Sequence, residues 1–125
     1  MLTEPKITSF IPTTQAKRSR QFYQDTLGLV LVSEDNFAME FRGGDTLLRV
    51  TIVNELSPHP FTVLGFRINE IEKQVKSLST KGVNFERYDH FDMSDLGIWS
   101  SSSRAKVAWF KDPDGNLLSL TEYPK

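Results

Sequence analysis

The chain has no cysteine, only two histidines, no long apolar run and almost no net charge. Each shortage removes a class of function. Without cysteine there is no disulfide, no thiolate metal site and no cysteine nucleophile. Fifteen Lys and Arg stand against sixteen Asp and Glu, a net charge of −1. No basic run tracks a phosphate backbone, so nucleic acid and anionic membranes are poor partners. Apolar stretches of a few residues fall far short of a membrane span. The segment Met1-Leu2-Thr3-Glu4-Pro5-Lys6-Ile7 lacks the basic and apolar regions of a signal peptide, so a cytoplasmic location is expected. At 125 residues the chain suits one domain that buries about two-thirds of its unfolded surface.

What is present is a repetition. Leu47-Leu48-Arg49-Val50-Thr51 returns as Leu117-Leu118-Ser119-Leu120-Thr121, each time after a Gly/Asp turn. Each half also holds a helical pattern closed by glycine, Gly28 and Gly82. Period-two alternation predicts a strand over Ile7 to Ile11 ended by Pro12, and a helix follows from Gln15 to Leu27 with Thr13 or Thr14 as its cap. Strands are predicted over Leu29 to Ser33, Phe37 to Arg42 and Thr46 to Val53, the last two joined by Gly43-Gly44-Asp45. Asn54 to Pro60 reads as a linker. The second half repeats the order: strand Phe61 to Ile68, helix Asn69 to Lys81 capped by Asn69, strand Val83 to Arg87, a long polar loop Tyr88 to Ser103, then strands Ala105 to Lys111 and Asn116 to Tyr123. The fold class is therefore α+β, two βαβββ modules over residues 1–55 and 61–125 of a single domain.

Asp112-Pro113-Asp114-Gly115-Asn116 is a turn with a mechanism. Proline presets φ at the first central position, Asp112 can bond amides ahead of it, and Gly115 accepts the left-handed conformation of a three-residue hairpin loop with a bulge. A calcium loop would need a bidentate Glu that is missing. If this loop pairs Asp112 with Asn116, Trp109 falls opposite Ser119, and the repeat then puts Met39 near Arg49. A different bulge would turn Trp109 toward the helix.

Phe22-Tyr23-Gln24-Asp25-Thr26-Leu27-Gly28-Leu29, followed downstream by Trp109-Phe110-Lys111-Asp112-Pro113-Asp114-Gly115-Asn116, resembles the vicinal oxygen chelate superfamily of glyoxalases, bleomycin resistance proteins and extradiol dioxygenases. The resemblance spans nearly the whole chain. It implies curved sheets around a concave pocket, helices on the convex side, and a homodimer. In metal-dependent relatives the ion is held by the first strand of each module and by a carboxylate of the last. The resemblance places those positions at Thr8, Val63, Arg49 and Ser119, none of them a usual metal ligand, and a fixed guanidinium repels a divalent ion. No metal or other cofactor is expected.

Strand parity read without the family agrees. Ile7/Ile11, Leu48/Val50/Ile52, Leu64/Phe66/Ile68 and Leu118/Leu120 form the greasier faces and belong under the helices. The opposite faces carry Thr8, Phe10, Arg49, Thr51, Val63, Gly65, Arg67, Ser119 and Thr121. Arg49 either neutralises a ligand anion or pairs with an acidic neighbour such as Glu40. Trp109 is either a stacking wall or core, and Trp99, in a polar loop, suits the rim of a pocket or a partner surface. His59 reads as a solvated linker residue. His90, among Asp89, Asp92 and Asp95, lacks the spacing of a metal site. Glu122 lies three residues beyond Ser119 and points to the other face, and Ser100 to Ser103 have no elbow or nearby histidine.

The functional expectation is a metal-independent protein that binds a small, partly aromatic molecule with room for an anionic group. Phe10, Met39, Trp99 and Trp109 would give apolar contact, with Val63 beside them. Thr8, Thr51, Ser119 and Thr121 would give hydrogen bonds, and Arg49 charge. Two alternatives stand beside it: a metal-dependent lyase, isomerase or dioxygenase with shifted ligands such as His90 or Glu40, and a protein-interaction module built on Trp99.

Overall fold

A computed structural model describes residues 2–125, and the chain divides into two compact units between Ser57 and Pro58. Met1, where the first module was expected to begin, lies outside the described residues. The first unit holds β1 (Thr8–Thr13), α1 (Ala16–Gln21), a π-helical turn (Phe22–Thr26), β2 (Val30–Glu34), β3 (Ala38–Gly43) and β4 (Thr46–Ile52). Its sheet runs β1-β4-β3-β2, with β1 parallel to β4 and the other pairs antiparallel. The second unit holds β5 (Leu64–Arg67), α2 (Ile71–Thr80), β6 (Trp99–Ser100), β7 (Lys106–Lys111) and β8 (Leu117–Glu122). Its sheet has the same pattern, β5-β8-β7-β6, with β5 parallel to β8. Two four-stranded mixed sheets with two helices make the architecture α+β.

In the first unit, Pro12 does not end β1. Thr13 turns its carbonyl to the amide of Val53, so the nitrogen of Pro12 faces the open edge, where a missing N–H costs nothing. Thr13 also starts the helix: its hydroxyl accepts the Gln15 amide at 3.0 Å and bonds Ser19 Oγ at 2.6 Å. The helix then widens, as Leu27 N–H reaches Phe22 O at 2.9 Å. That turn buries Tyr23, whose ring lies 5.9 Å from Phe41, in a core completed by Ile11, Met39, Leu48 and Val50. An extra residue between Leu31 and Ser33 kinks β2, a common guard on an edge strand. Asp35 closes the next turn by accepting the amides of Phe37 and Ala38 at 2.8 and 2.9 Å.

In the second unit, Ile71, Val75 and Leu78 bury one face of α2 on β7 and β8, above Ala108, Phe110, Leu118 and Leu120. The expected cap Asn69 is not used. Glu70 occupies the cap position with φ +51° and no side-chain bond, while Glu122 reaches from β8 to accept the Ile71 amide at 2.8 Å. A carboxylate there also meets the positive end of the helix dipole. The predicted strand Val83 to Arg87 shrinks to one bridge, Phe85 with Phe110, and β6 pairs with Val107 and Lys106 farther along the same edge of β7. The loop read as wholly irregular thus contains a strand.

The Asp112 turn forms as its sequence requires. Asp112 Oδ1 accepts the amides of Asp114 and Asn116 at 3.0 and 2.9 Å, and Oδ2 accepts Asn116 Nδ2 at 2.9 Å. Gly115 has φ +88°, a conformation that strains any side chain.

Two measurements check these local causes. Glu122→Ala is expected to lower unfolding free energy in urea by about 1 kcal/mol, with Glu122→Gln losing less because it keeps an acceptor. The two amides that Asp35 accepts hold its carboxyl below the ordinary carboxylate range, an effect that the Arg49 charge supplements. Its contribution is complete above the unfolded pKa of about 4 and fades as pH falls through the lowered native value. The melting-temperature gap between wild type and Asp35→Ala should therefore be constant near neutrality and close in acid.

Candidate functional site

On the first sheet, pairing places Phe10 beside Arg49 and Arg49 beside Glu40. The alternation of the strands brings Thr8 and Thr51 to this same face. Arg49 Nη1 donates to Glu40 Oε1 at 2.6 Å, each side chain about one-third exposed. Of the two roles open to Arg49, the structure shows the ion pair. Phe10 is 62% exposed.

Met39 is not on that face. It pairs with Val50, is 0% exposed, and packs on the side of the sheet that carries Phe41 and Ile11. The repeat misplaced it because the turns differ. Gly43 pairs directly with Thr46 across Gly44-Asp45, so Glu40 to Arg49 spans one residue fewer than Trp109 to Ser119. One residue of register exchanges the faces of a strand.

On the second sheet, Trp109 pairs with Ser119 and Gly65 with Ser119, while Trp99 pairs with Val107, itself opposite Thr121. Trp99, Trp109, Ser119 and Thr121 therefore share the face away from α2. Val63, whose amide bonds Leu117 O at 3.0 Å, extends the same parity. Ser119 is 7% exposed, and a methyl placed on Gly65 would come within 3.1 Å of its hydroxyl. Glycine keeps that approach open.

The two tryptophans meet through the loop between β6 and the Phe85 bridge. The Phe91 ring stacks on Trp99 at 4.6 Å and 24° and on Trp109 at 5.5 Å and 12°. The tryptophan rings lie 6.1 Å apart. Tyr88 stands edge-on to Trp109 at 5.5 Å and to Phe91 at 6.0 Å, and His90 packs on Phe91 at 4.3 Å. Offset and edge-to-face pairs of this kind stabilise beyond the area they bury. Burial, with the Glu86 charge second, pushes the Tyr88 phenol above its ordinary value, so it stays protonated at neutral pH.

Backbone contacts hold the loop in this shape. Arg87 Nη1 donates to Ser94 O at 3.0 Å and to Asp95 O at 3.4 Å, Ser94 Oγ accepts the Ile98 amide, and Met93 bridges to Trp99. Beside the cluster, Pro60, Phe61, Thr62 and Leu117 join Tyr88, His90, Phe91 and Trp109 around a groove of about 250 Å³. An adjoining groove of about 260 Å³ runs past His59 to the Lys111–Glu86 ion pair, 3.5 Å long. His59, exposed in the linker as expected, stacks flat on Phe61 at 5.0 Å and 7°. Tyr88, Phe91 and the Phe61 wall were missed in the sequence. For Tyr88 and Phe91 the signal was the density of rings between Tyr88 and Trp99 in an otherwise polar stretch; Phe61 had none.

The residues do not suit a metal. The four positions that the family assigns to it carry two hydroxyls, a hydrocarbon and a guanidinium already bound to Glu40. Among the described residues no group of three or more His, Cys, Asp or Glu side chains gathers closely enough to hold an ion. Glu40 is engaged by Arg49, and the ring neighbours of His90 are Tyr88 and Phe91.

Known proteins share this organisation. An uncharacterized protein of Bacillus subtilis (strain 168), YraH, is 32% identical over 120 residues, covering 83% of this chain and 87% of its own. Among solved structures, the bleomycin resistance determinant encoded on the transposon Tn5 superimposes with a TM-score of 0.76 at 20% identity, over 97% of this chain and 99% of that one. TnmS3, an antibiotic binding protein from Streptomyces sp. CB03234, gives 0.74 at 19% identity, over 99% of both. These two likenesses concern the fold. The family profile described as Glyoxalase/Bleomycin resistance protein/Dioxygenase superfamily matches residues 6–120, and the chain belongs to that superfamily.

Proposed function

We propose that this protein binds a small, partly aromatic molecule without a metal, in the manner of the antibiotic-binding members of its superfamily. The observation that carries the reading is the cluster of Trp99, Trp109, Phe91 and Tyr88 beside an open groove. Flat ligands gain from stacking on such rings, and few polar groups are needed to orient them. Thr62 lines the groove with a hydroxyl, and Ser119 and Thr121 share the sheet face of Trp109. An anionic group on the ligand would meet an Arg49 whose charge is already balanced by Glu40, which weakens the support for one. Two relatives of like fold are named for antibiotic resistance and antibiotic binding, which agrees with sequestration rather than turnover.

The same reading takes the protein as a cytoplasmic homodimer. Phe10, Val30, Val32 and Phe37 of the first unit expose apolar side chains that a second copy would cover. No helix among the described residues is long and apolar enough to cross a membrane.

Protein purified without chelator should carry far less than one divalent ion per chain. Its melting temperature should rise with compounds from a small aromatic panel, equally with and without EDTA, since whatever binds only the folded state stabilises it. Trp109→Leu should abolish those shifts. One tightly held ion per chain, or shifts that vanish with EDTA, would refute metal independence. Sedimentation as a monomer at all concentrations would remove the dimer.

A further inference from the structure

Three methionines and no cysteine leave the thioether as the one kind of sulfur this chain offers to an oxidant. Met39 is 0% exposed, and Met1 lies outside the described residues. Met93 is partly exposed, between the exposed Asp92 and Ser94. A dissolved oxidant therefore reaches Met93 and not Met39.

Met93 also joins two distant points of the loop that carries the ring cluster. Its Sδ accepts the Tyr88 amide at 3.3 Å, and its backbone forms a bridge with Trp99. Those two residues position the rest. The Tyr88 carbonyl accepts the Phe91 amide at 3.0 Å, the Tyr88 ring stands edge-on to Phe91 and Trp109, and Trp99 stacks on Phe91. Any displacement of Tyr88 from Met93 is thus passed to the stacked rings.

Oxidation by a peroxide acts on this contact directly. A sulfur lone pair attacks one oxygen of hydrogen peroxide, the S–O bond forms as the O–O bond breaks, and the proton of the transferred hydroxyl joins the departing hydroxide as water. Sulfur loses two electrons and peroxide gains them. A hydrogen bond to oxygen needs about 2.7 to 3.2 Å between nitrogen and oxygen. The 3.3 Å between the Tyr88 nitrogen and Met93 Sδ leaves no room for an oxygen along that line. An oxygen on the lone pair facing Tyr88 pushes the amide out. On the other lone pair it drains the sulfur, already a weak acceptor, of electron density.

We propose that Met93 is an oxidative modification site that controls the order of the aromatic cluster: the thioether holds Tyr88 and Trp99 together, and the sulfoxide releases them. A methionine sulfoxide reductase resets it, removing the oxygen as water with two electrons from a dithiol. The assignment concerns the cluster itself and stands whether or not the groove takes a ligand.

The whole protein treated with dilute hydrogen peroxide tests it, with peptide mass mapping and amide hydrogen exchange read together. Met93 is expected to gain one oxygen roughly tenfold faster than Met39. As it does, exchange of the Tyr88 amide should speed up several-fold, and proton NOE contacts from Phe91 to Trp99 and Trp109 should weaken. Sulfoxide reductase with dithiothreitol should restore both. Met93→Leu has no acceptor at that position, so its Tyr88 amide should exchange fast before treatment, and peroxide should change nothing further. Oxidation of Met39 as fast as Met93, or none at Met93, overturns the site. Oxidised Met93 with Tyr88 exchange and ring contacts unchanged overturns its control of the cluster, as does the same peroxide response in Met93→Leu.

Discussion

The side of the sheet on which Trp109 stands is decided by the Asp112 carboxylate. By holding the amides of Asp114 and Asn116, it fixes a three-residue loop with one bulged position, and that loop sets which residue of β7 faces Ser119. Side chains alternate along a strand, so there are only two outcomes. In one, Trp109 meets the ring cluster and Phe110 fills the core under α2. In the other the two exchange, and the cluster loses its central wall. A buried carboxylate with several acceptor bonds is costly to rearrange, which makes this turn a firm register pin.

The rest of the site is assembled from segments distant in the chain around that pin. Trp99 enters through the short β6 pairing, and Phe91 and Tyr88 arrive on a loop that Arg87 and Ser94 hold by backbone carbonyls and amides. The loop is long and is held by its own contacts, and ordered loops of that length are usually functional. The first unit uses a similar sheet differently. Its equivalent face carries an ion pair, Arg49 with Glu40, next to an exposed Phe10. The duplicated framework has thus diverged into one aromatic face and one charged face, as expected where a fold is retained and sites change.

Much of this was legible in the residues. The duplication, the parity of Arg49, Trp109 and Ser119, and the Asp112 turn all depend on local chemistry that a sequence displays. Met39 was misplaced because equivalence between repeats was extended through a turn one residue shorter, an error that period-two geometry turns into a change of face. The cap of α2 was assigned to Asn69 by proximity, while the group used, Glu122, is remote in sequence and near only once β8 has paired. Phe91 was overlooked for a related reason. Its importance comes from stacking on two rings contributed by separate strands, and no spacing rule announces that.

The most direct test is where the indole of Trp109 lies. Proton NOE contacts in solution should connect Trp109 to the ring protons of Phe91, Trp99 and Tyr88. Contacts from Trp109 to Val75 and Leu78 of α2 instead would show the opposite register and contradict the account.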